Sequence, residues 1–173
     1  MKLAGKRLKE LFSQSQIQNR LDEIAPKIES AIGEKFVVIG VLKGAFIITA
    51  DLVRRFKLPI LIDFIWISSY GLKSSPGDVK LICDISLNIE NQKVLIVEDI
   101  LDTGQSLEWL SSHLEKKGAK EIFTFALLKK SRRQARIEIN FHGFEIGDEF
   151  VVGYGMDLAE EGRELPGVYA LEL

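Results

Sequence analysis

A short aliphatic run that leads directly into acidic residues constrains the fold of this chain most. Residues 94–97, VLIV, have the composition of a strand that is buried on both faces of a parallel sheet. The acidic residues Glu98, Asp99 and Asp102 follow, and then a helical pattern over residues 107–114. Ligands of open α/β sheets bind at the carboxyl ends of the strands. The sequence therefore predicts a ligand site at the end of this strand.

The turn between the acids and the helix has the chemistry of a phosphate site. It offers a glycine, two hydroxyl groups and the N–H groups of a helix start, all of which favour a bound anion. Three carboxylates would repel a phosphate unless they face sugar hydroxyls or a hydrated divalent cation, so the pattern favours a sugar phosphate. The alternative is an ordinary loop in which Thr103 caps the helix, although capping does not account for the acids. The turn residues are Thr103, Gly104, Gln105 and Ser106.

Residues 98–106, EDILDTGQS, resemble the signature by which type I phosphoribosyltransferases bind phosphoribosyl pyrophosphate (PRPP). The resemblance covers nearly the whole chain and implies an α/β fold: a twisted, mainly parallel sheet flanked by helices, with a small hood lobe. Asp102 is typical of the 6-oxopurine branch. The resemblance thus implies a purine salvage enzyme that transfers the 5-phosphoribosyl group to N9 of hypoxanthine, guanine or xanthine and releases pyrophosphate. The preference among these bases stays open.

The resemblance also implies a role for each acid. Glu98 and Asp99 would bind the ribose hydroxyls and, together with Asp157, the cofactor Mg²⁺. Asp102 would be the catalytic residue that manages the proton at N7 of the purine. The turn at residues 103–106 would hold the 5′-phosphate.

A second strand–helix junction has similar chemistry. Residues 36–42, FVVIGVL, predict a buried strand, and Lys43 and Gly44 precede an apolar helix. An ammonium group and helix N–H groups can converge on one anion, while a solvated loop lysine is the alternative. In the resembling family this loop binds pyrophosphate and often contains a cis peptide, here between Leu42 and Lys43. The resemblance assigns Arg163 to the same pyrophosphate.

Residues 68–78 predict a long loop between strands at 60–67 and 79–85. The resemblance implies that Ser69 and Tyr70 belong to a flap that closes over the reaction centre and excludes water. A disordered hairpin tip is the alternative.

The resemblance places the purine beside a lysine and a hood. Lys130 would donate to O6 of the base and so discriminate against adenine, with Lys129 as the fallback. Read without the resemblance, the basic run at 129–133 indicates a solvated loop or, less often, a nucleic-acid patch.

Residues 150–157, FVVGYGMD, resemble the hood sequence of the 6-oxopurine branch. Phe150 would stack on the base, main-chain groups near Val151 would read its edge, and Met156 would line the other side. Without the resemblance, Phe150 would be a core residue and Asp157 a turn residue.

The length of 173 residues and the 46% hydrophobic content predict a single domain. We expect its hood to comprise the N-terminal segment and residues from about 141 to 173. The pattern over residues 15–32 predicts an amphipathic helix, with a kink or a break at Pro26.

Composition limits the classes of partner that the protein can be expected to have and the cellular compartment in which it is expected. The net charge of −2 gives no reason to expect nucleic acid, and no apolar run approaches the ~20 residues of a membrane span. The single cysteine, Cys83, excludes an intrachain disulfide, is expected in the core and fits a reducing, cytoplasmic location. The resemblance implies a homodimer or homotetramer. A PRPP- or nucleotide-sensing regulator on the same fold is the alternative function, against which Asp102 and the charge argue.

Overall fold

The computed structural model describes residues 2–69, 79–131, 137 and 139–172. Its helices are α1 (Gln14–Ile32), α2 (Phe46–Val53) and α3 (Gln105–Lys116). Its strands are β1 (Lys2–Leu3), β2 (Lys6–Phe12), β3 (Phe36–Leu42), β4 (Ile60–Ser69), β5 (Val79–Cys83), β6 (Lys93–Leu101), β7 (Glu121–Lys130), β8 (Phe141–Ile146), β9 (Val151–Val152) and β10 (Val168–Glu172).

The larger of two sheets in the described residues has six strands in the order β5-β4-β3-β6-β7-β8. All neighbouring pairs are parallel except β4 and β5. Alternate side chains of β3 enter two cores: Phe36 and Val38 pack with α1 and α2, whereas Val37 and Ile39 pack with α3. Both cores are apolar, which explains the unbroken hydrophobic runs of the central strands. The predicted fold class is confirmed.

Strand β6 is longer than its aliphatic run. It pairs with β3 only as far as Gly40 and Val97, but it pairs with β7 as far as Leu101 and Lys129. Glu98 and Asp99 therefore belong to the strand itself. Beyond Val97 the strand has lost its β3 neighbour, and a cleft opens between β3 and β6.

The smaller sheet joins the two ends of the chain in the order β1-β2-β10-β9, with antiparallel pairing. It corresponds to the expected hood, but its C-terminal part begins later than about residue 141. Residues Phe141–Ile146 form β8, which pairs with β7 in the larger sheet. The apolar residues of β8 pack against the main core, and this packing explains the difference.

Helix α1 continues through Pro26 as one element of 19 residues, so of the predicted kink or break the break does not occur. Ser13 and Gln16 form a capping box at its start, and Gly33 ends it with a φ of 75°. Pro26 lies on the exposed face, and the apolar face packs into the core around it.

Two expectations concern the surface. Cys83 is exposed at the end of the edge strand β5, so its expected core position is wrong. Within the described residues, no helix is long and apolar enough to cross a membrane.

Candidate active site

The cleft beside β6 contains a cavity of about 340 Å³, which we call the strand–helix cavity. Every residue from Glu98 to Ser106 lines it, together with Val41, Leu42 and Gly44 at the end of β3. The parting of β3 and β6 thus gives the predicted motif its cavity. Because the motif is continuous in sequence and spans a strand, a turn and a helix start, local structure alone brings its groups together.

The turn presents an uncapped helix start. Gly104 is the N-cap of α3 with a φ of 77°, and no side chain caps the helix. The alternative role of Thr103 as a helix cap is therefore wrong. Gln105 and Ser106, in the first turn of α3, line the cavity. This end of the helix can receive an anion.

The two acids on the strand are held in an environment that disfavours their charge. Glu98 is only 8% exposed, and its burial, followed by the charge of Asp99, raises its pKa well above the usual range. Burial is also the main cause of the raised pKa of Asp99, and Asp157 adds to it. The N–H of Ile100 and the charge of Arg163 act in the opposite direction.

These acids fit a divalent cation. A cation between Glu98 and Asp99 would relieve the charge that burial and their proximity make costly. No group of three or more His, Cys, Asp or Glu side chains placed to hold a metal ion occurs in the described part of the chain. Mg²⁺ at phosphate substrates typically takes only one or two carboxylates and completes its shell with water and phosphate oxygens.

A second cavity of about 260 Å³, the hood cavity, adjoins the first. The two cavities share Asp99, Ile100 and Asp102. The hood cavity is also lined by Asp157 and by the residues that the resemblance assigned to the purine, which are Lys130, Phe150, Val151 and Met156. Phe150 is 52% exposed, so the alternative that it is a core residue is wrong.

Two adjacent lysines at the end of β7 have different surroundings. The Lys130 side chain is 11% exposed, and its Nζ lies 3.4 Å from Oδ2 of Asp102. Lys129 points elsewhere, with its Nζ 3.3 Å from Oε1 of Glu145. Lys130 therefore lies at the boundary between the cavities and Lys129 does not.

The two side chains predicted to bind pyrophosphate, Lys43 and Arg163, both contact Glu160, and neither belongs to the lining of the two cavities. The peptide bond between Leu42 and Lys43 is cis, as the resemblance implied. Lys43 Nζ lies 3.0 Å from Oε2 of Glu160 and 5.5 Å from the centre of the Trp66 ring. Arg163 donates to the Gly155 carbonyl at 2.8 Å and also contacts Glu160 at 3.2 Å. Its Nη2 lies 2.8 Å from Oδ1 of Asp157.

Close packing explains why Gly44, after β3, and Gly155, in the hood, are glycines. A Cβ atom on Gly44 would lie 1.7 Å from Oδ2 of Asp99. A Cβ atom on Gly155, whose φ is +102°, would lie 2.1 Å from the carbonyl oxygen of Gly44. The loop after β3 (residues 43–45), the acid pair and the turn at residues 153–156, which we call the hood turn, therefore fit together only without these side chains.

A hydrogen-bond network connects the hood turn to α1 and α2. The Tyr154 hydroxyl donates to the carboxylate of Asp51 in α2. Gln18 in α1 donates to Asp51 at 2.8 Å and to Tyr154 at 3.2 Å. Burial, and then Asp51, raises the pKa of Tyr154, which keeps its proton for this bond.

The sequence analysis did not single out some residues of the site, and one predicted site residue lies outside the described residues. Ile100 lines both cavities and Glu149 lines the hood cavity. Glu160 contacts both predicted pyrophosphate cations, yet in the sequence it is one acid within a polar turn. Ser69 ends β4, and Tyr70 lies outside the described residues.

Comparison with known proteins decides the family. The family described as phosphoribosyl transferase domain matches residues 8–159. The chain belongs to the phosphoribosyltransferase family. A hypoxanthine-guanine phosphoribosyltransferase of Aquifex aeolicus is 45% identical over 175 positions, which cover 98% of each protein. One of Bacillus subtilis is 41% identical over 167 positions, covering 95% of this chain and 93% of that protein.

Solved phosphoribosyltransferases share the fold. A Bacillus anthracis hypoxanthine-guanine phosphoribosyltransferase, with a HEPES molecule in its active site, aligns with a TM-score of 0.90 and 42% identity over 96% of this chain and 100% of that one. A Trypanosoma cruzi hypoxanthine phosphoribosyltransferase in complex with the product IMP aligns with a TM-score of 0.88 and 34% identity over 99% and 97% of the two chains. These relatives do not favour the alternative of a regulatory protein.

Proposed function

We propose that this phosphoribosyltransferase transfers the 5-phosphoribosyl group of PRPP to N9 of hypoxanthine or guanine, producing IMP or GMP and pyrophosphate for purine salvage. The observation that carries the proposal is the position of Asp102 between two cavities. One cavity has the chemistry of a sugar phosphate site, and the other contains a lysine and an exposed aromatic ring. The names of the relatives support the same reaction.

The strand–helix cavity holds the PRPP. The turn at residues 103–106 and the start of α3 bind the 5′-phosphate, which anchors the substrate away from the reacting carbon. Glu98 and Asp99 hold the ribose hydroxyls. As the bond to pyrophosphate breaks, positive charge grows on the ribose, and the nearby carboxylates stabilise it.

Lys43 and Arg163 hold the pyrophosphate, which accumulates negative charge as the leaving group. Glu98, Asp99 and Asp157 are the carboxylates that would hold Mg²⁺. Bound there, Mg²⁺ would neutralise negative charge that develops on the pyrophosphate.

The hood cavity holds the purine. O6 and N7 are neighbours on one edge of a 6-oxopurine, and Lys130 Nζ and Asp102 Oδ2 are neighbours at 3.4 Å. The ammonium group donates to O6 while the carboxylate exchanges a proton with N7. An amino group at position 6 would face the same ammonium donor, so adenine is disfavoured. Phe150 stacks on the base, main-chain groups near Val151 read its edge, and Met156 lines the opposite side.

We assign Ser69 and Tyr70 to a flap over the reaction centre, as the family resemblance implies. Ser69 is the last residue of β4, the strand that contains Trp66, and the Trp66 ring lies beside the Lys43 ammonium group. Closure would protect the activated ribose from hydrolysis.

We further propose that the chain forms a homodimer or homotetramer in the cytoplasm. Ile62 and Phe64 of β4 and Phe46 of α2 are exposed, at 45%, 36% and 41% respectively, and a second copy would cover them. Light scattering after gel filtration tests this, because a monomer at micromolar concentration would contradict it.

The test of the function is the initial rate of nucleotide formation from PRPP with Mg²⁺ and each of hypoxanthine, guanine, xanthine and adenine. We expect IMP and GMP formation, no AMP, and loss of activity when Mg²⁺ is chelated. Absence of a nucleotide product with all four bases, despite PRPP binding, would overturn the proposal.

A further inference from the structure

The carboxylate of Glu160 lies between the two cations that the proposed function assigns to pyrophosphate. Its Oε2 is 3.0 Å from Lys43 Nζ and 3.2 Å from Arg163 Nη2. Lys43 is at the end of β3 and Arg163 is in the hood, so one acidic oxygen joins two distant parts of the chain. A phosphate oxygen bound by both cations would compete with Glu160 for the same donor groups.

We infer that Glu160 is an internal competitor for the pyrophosphate group: it neutralises Lys43 and Arg163 in the free enzyme and is displaced when PRPP binds. The inference rests on the proposed function, because it concerns the same two cations. Under this inference, Glu160 lowers the affinity of the site for pyrophosphate and so assists the release of this product.

The backbone around Glu160 is built to present the side chain. Leu158 and Glu161 exchange two backbone hydrogen bonds of 2.9 and 3.1 Å, which close a two-residue turn. Both central residues, Ala159 and Glu160, have positive φ values of 52° and 70°. Residues with side chains rarely adopt this conformation, and glycine or asparagine is usual in turns of this kind. Such an exception among non-glycine residues points to function.

Asp157 reinforces the turn. Its Oδ2 accepts a hydrogen bond of 2.8 Å from the Glu160 N–H, and its Oδ1 contacts Arg163 at 2.8 Å. The turn can therefore keep its shape while the Glu160 side chain swings away.

The contacts of the cations allow this exchange. When Glu160 leaves, Arg163 keeps its contacts with Asp157 and the Gly155 carbonyl. Among the described residues, Lys43 keeps its position over the Trp66 ring, and its ammonium group can then bind a phosphate oxygen. The Glu160 side chain is 68% exposed, so it can move into water without disturbing the core. The hydrogen bond from Lys43 lowers the pKa of Glu160, so the competitor is charged at neutral pH.

Calorimetric titration with inorganic pyrophosphate and Mg²⁺ tests the inference on the wild type, Glu160→Gln and Glu161→Gln. Glu161 is the matched control, because it is the next residue, it is exposed, and the change removes the same charge. For Glu160→Gln we expect a Kd for pyrophosphate that is roughly two- to fivefold lower, the scale of an exposed ion pair. Glu161→Gln should bind like the wild type.

Steady-state kinetics provide a second measurement. The KM for PRPP of Glu160→Gln should fall by a similar factor, while the KM for hypoxanthine should stay the same. Unchanged or weaker pyrophosphate binding by Glu160→Gln, or an equal gain in Glu161→Gln, would overturn the inference and leave the proposed function intact. If the wild type itself bound neither pyrophosphate nor PRPP, the proposed function would fail first.

Discussion

The two cavities are assembled in different ways. The strand–helix cavity is lined mainly by one continuous segment, Glu98–Leu107, with smaller contributions from the end of β3, from β4 and from β7. The hood cavity collects side chains from the end of β6, the end of β7 and two separate parts of residues 149–157. Backbone groups and acids dominate the first, whereas a lysine and an aromatic side chain characterise the second. The comparison suggests that the first recognises a constant substrate and the second selects a base.

The largest expected effect concerns the residue that borders both cavities. Asp102→Asn keeps the shape of the side chain but removes its ability to accept a proton, so kcat should fall by about 10²- to 10⁴-fold. The Kd for PRPP should change little, because the turn and the acid pair are intact. Stopped assays of IMP formation, with PRPP binding measured in parallel, test this. A variant with normal turnover would remove the proposed proton role.

A change at Gly44, which lines the strand–helix cavity, comes next. In Gly44→Ala the new Cβ would overlap Oδ2 of Asp99, so that carboxylate must turn away from its position. We expect kcat/KM for PRPP to fall by roughly 10²-fold, the cost of a misplaced active-site group. The Kd for guanine should be preserved, because Asp99, although it also lines the hood cavity, is assigned to the ribose and not to the base. If guanine binding fell as much as PRPP binding, the separation of the two cavities would be mistaken.

The matching change in the hood cavity is Lys130→Ala. Loss of a charged hydrogen bond to O6 should raise the KM for hypoxanthine by roughly 10- to 100-fold, while the KM for PRPP stays near its original value. Lys129→Ala is the control, since Lys129 pairs with the exposed Glu145. Equal effects of the two substitutions, or an effect on PRPP alone, would contradict the assignment of Lys130.

The smallest expected effect is that of Glu98→Gln on the thermal stability of the protein in the absence of Mg²⁺. The pKa of Glu98 is raised in the folded protein, so the native state binds this proton at pH values where the unfolded chain has lost it. Stability attributable to Glu98 is thus present below the unfolded value of 4.5 and decreases as the pH rises above it. At neutral pH, Glu98→Gln should raise Tm by about 2–6 °C.

Scanning calorimetry at pH 7 and pH 4 tests this prediction. The gain in Tm should shrink at the lower pH, because the wild-type Glu98 is then protonated in both states. A lower Tm for Glu98→Gln at pH 7 would show that the Glu98 carboxylate is stabilised by the fold rather than penalised.

Sequence patterns predicted the part of the site that is built from residues close together in the sequence. The β6 motif and the β3 loop followed from strand and helix patterns and from the charges beside them, because neighbouring residues build both. The hood cavity followed only from the family resemblance, since Lys130 and Phe150 are distant in sequence and each has an ordinary alternative. Sequence patterns also missed the later start of the hood sheet. Only the pairing of β8 with β7 assigns residues 141–146 to the larger sheet.

Glu160 illustrates a limit of another kind. In the sequence it is an exposed acid in a turn, and nothing in residues 157–163 shows that Lys43 is near. Only the tertiary fold brings the carboxylate to a cation that is 117 positions away.

The parting of β3 and β6 after Gly40 and Val97 has a consequence for the diversification of the family. The cleft exists because backbone pairing between the two strands stops there. Substitutions in the hood cavity leave that pairing unchanged, so a lineage can exchange one acceptor base for another while the frame that receives the sugar is inherited unchanged.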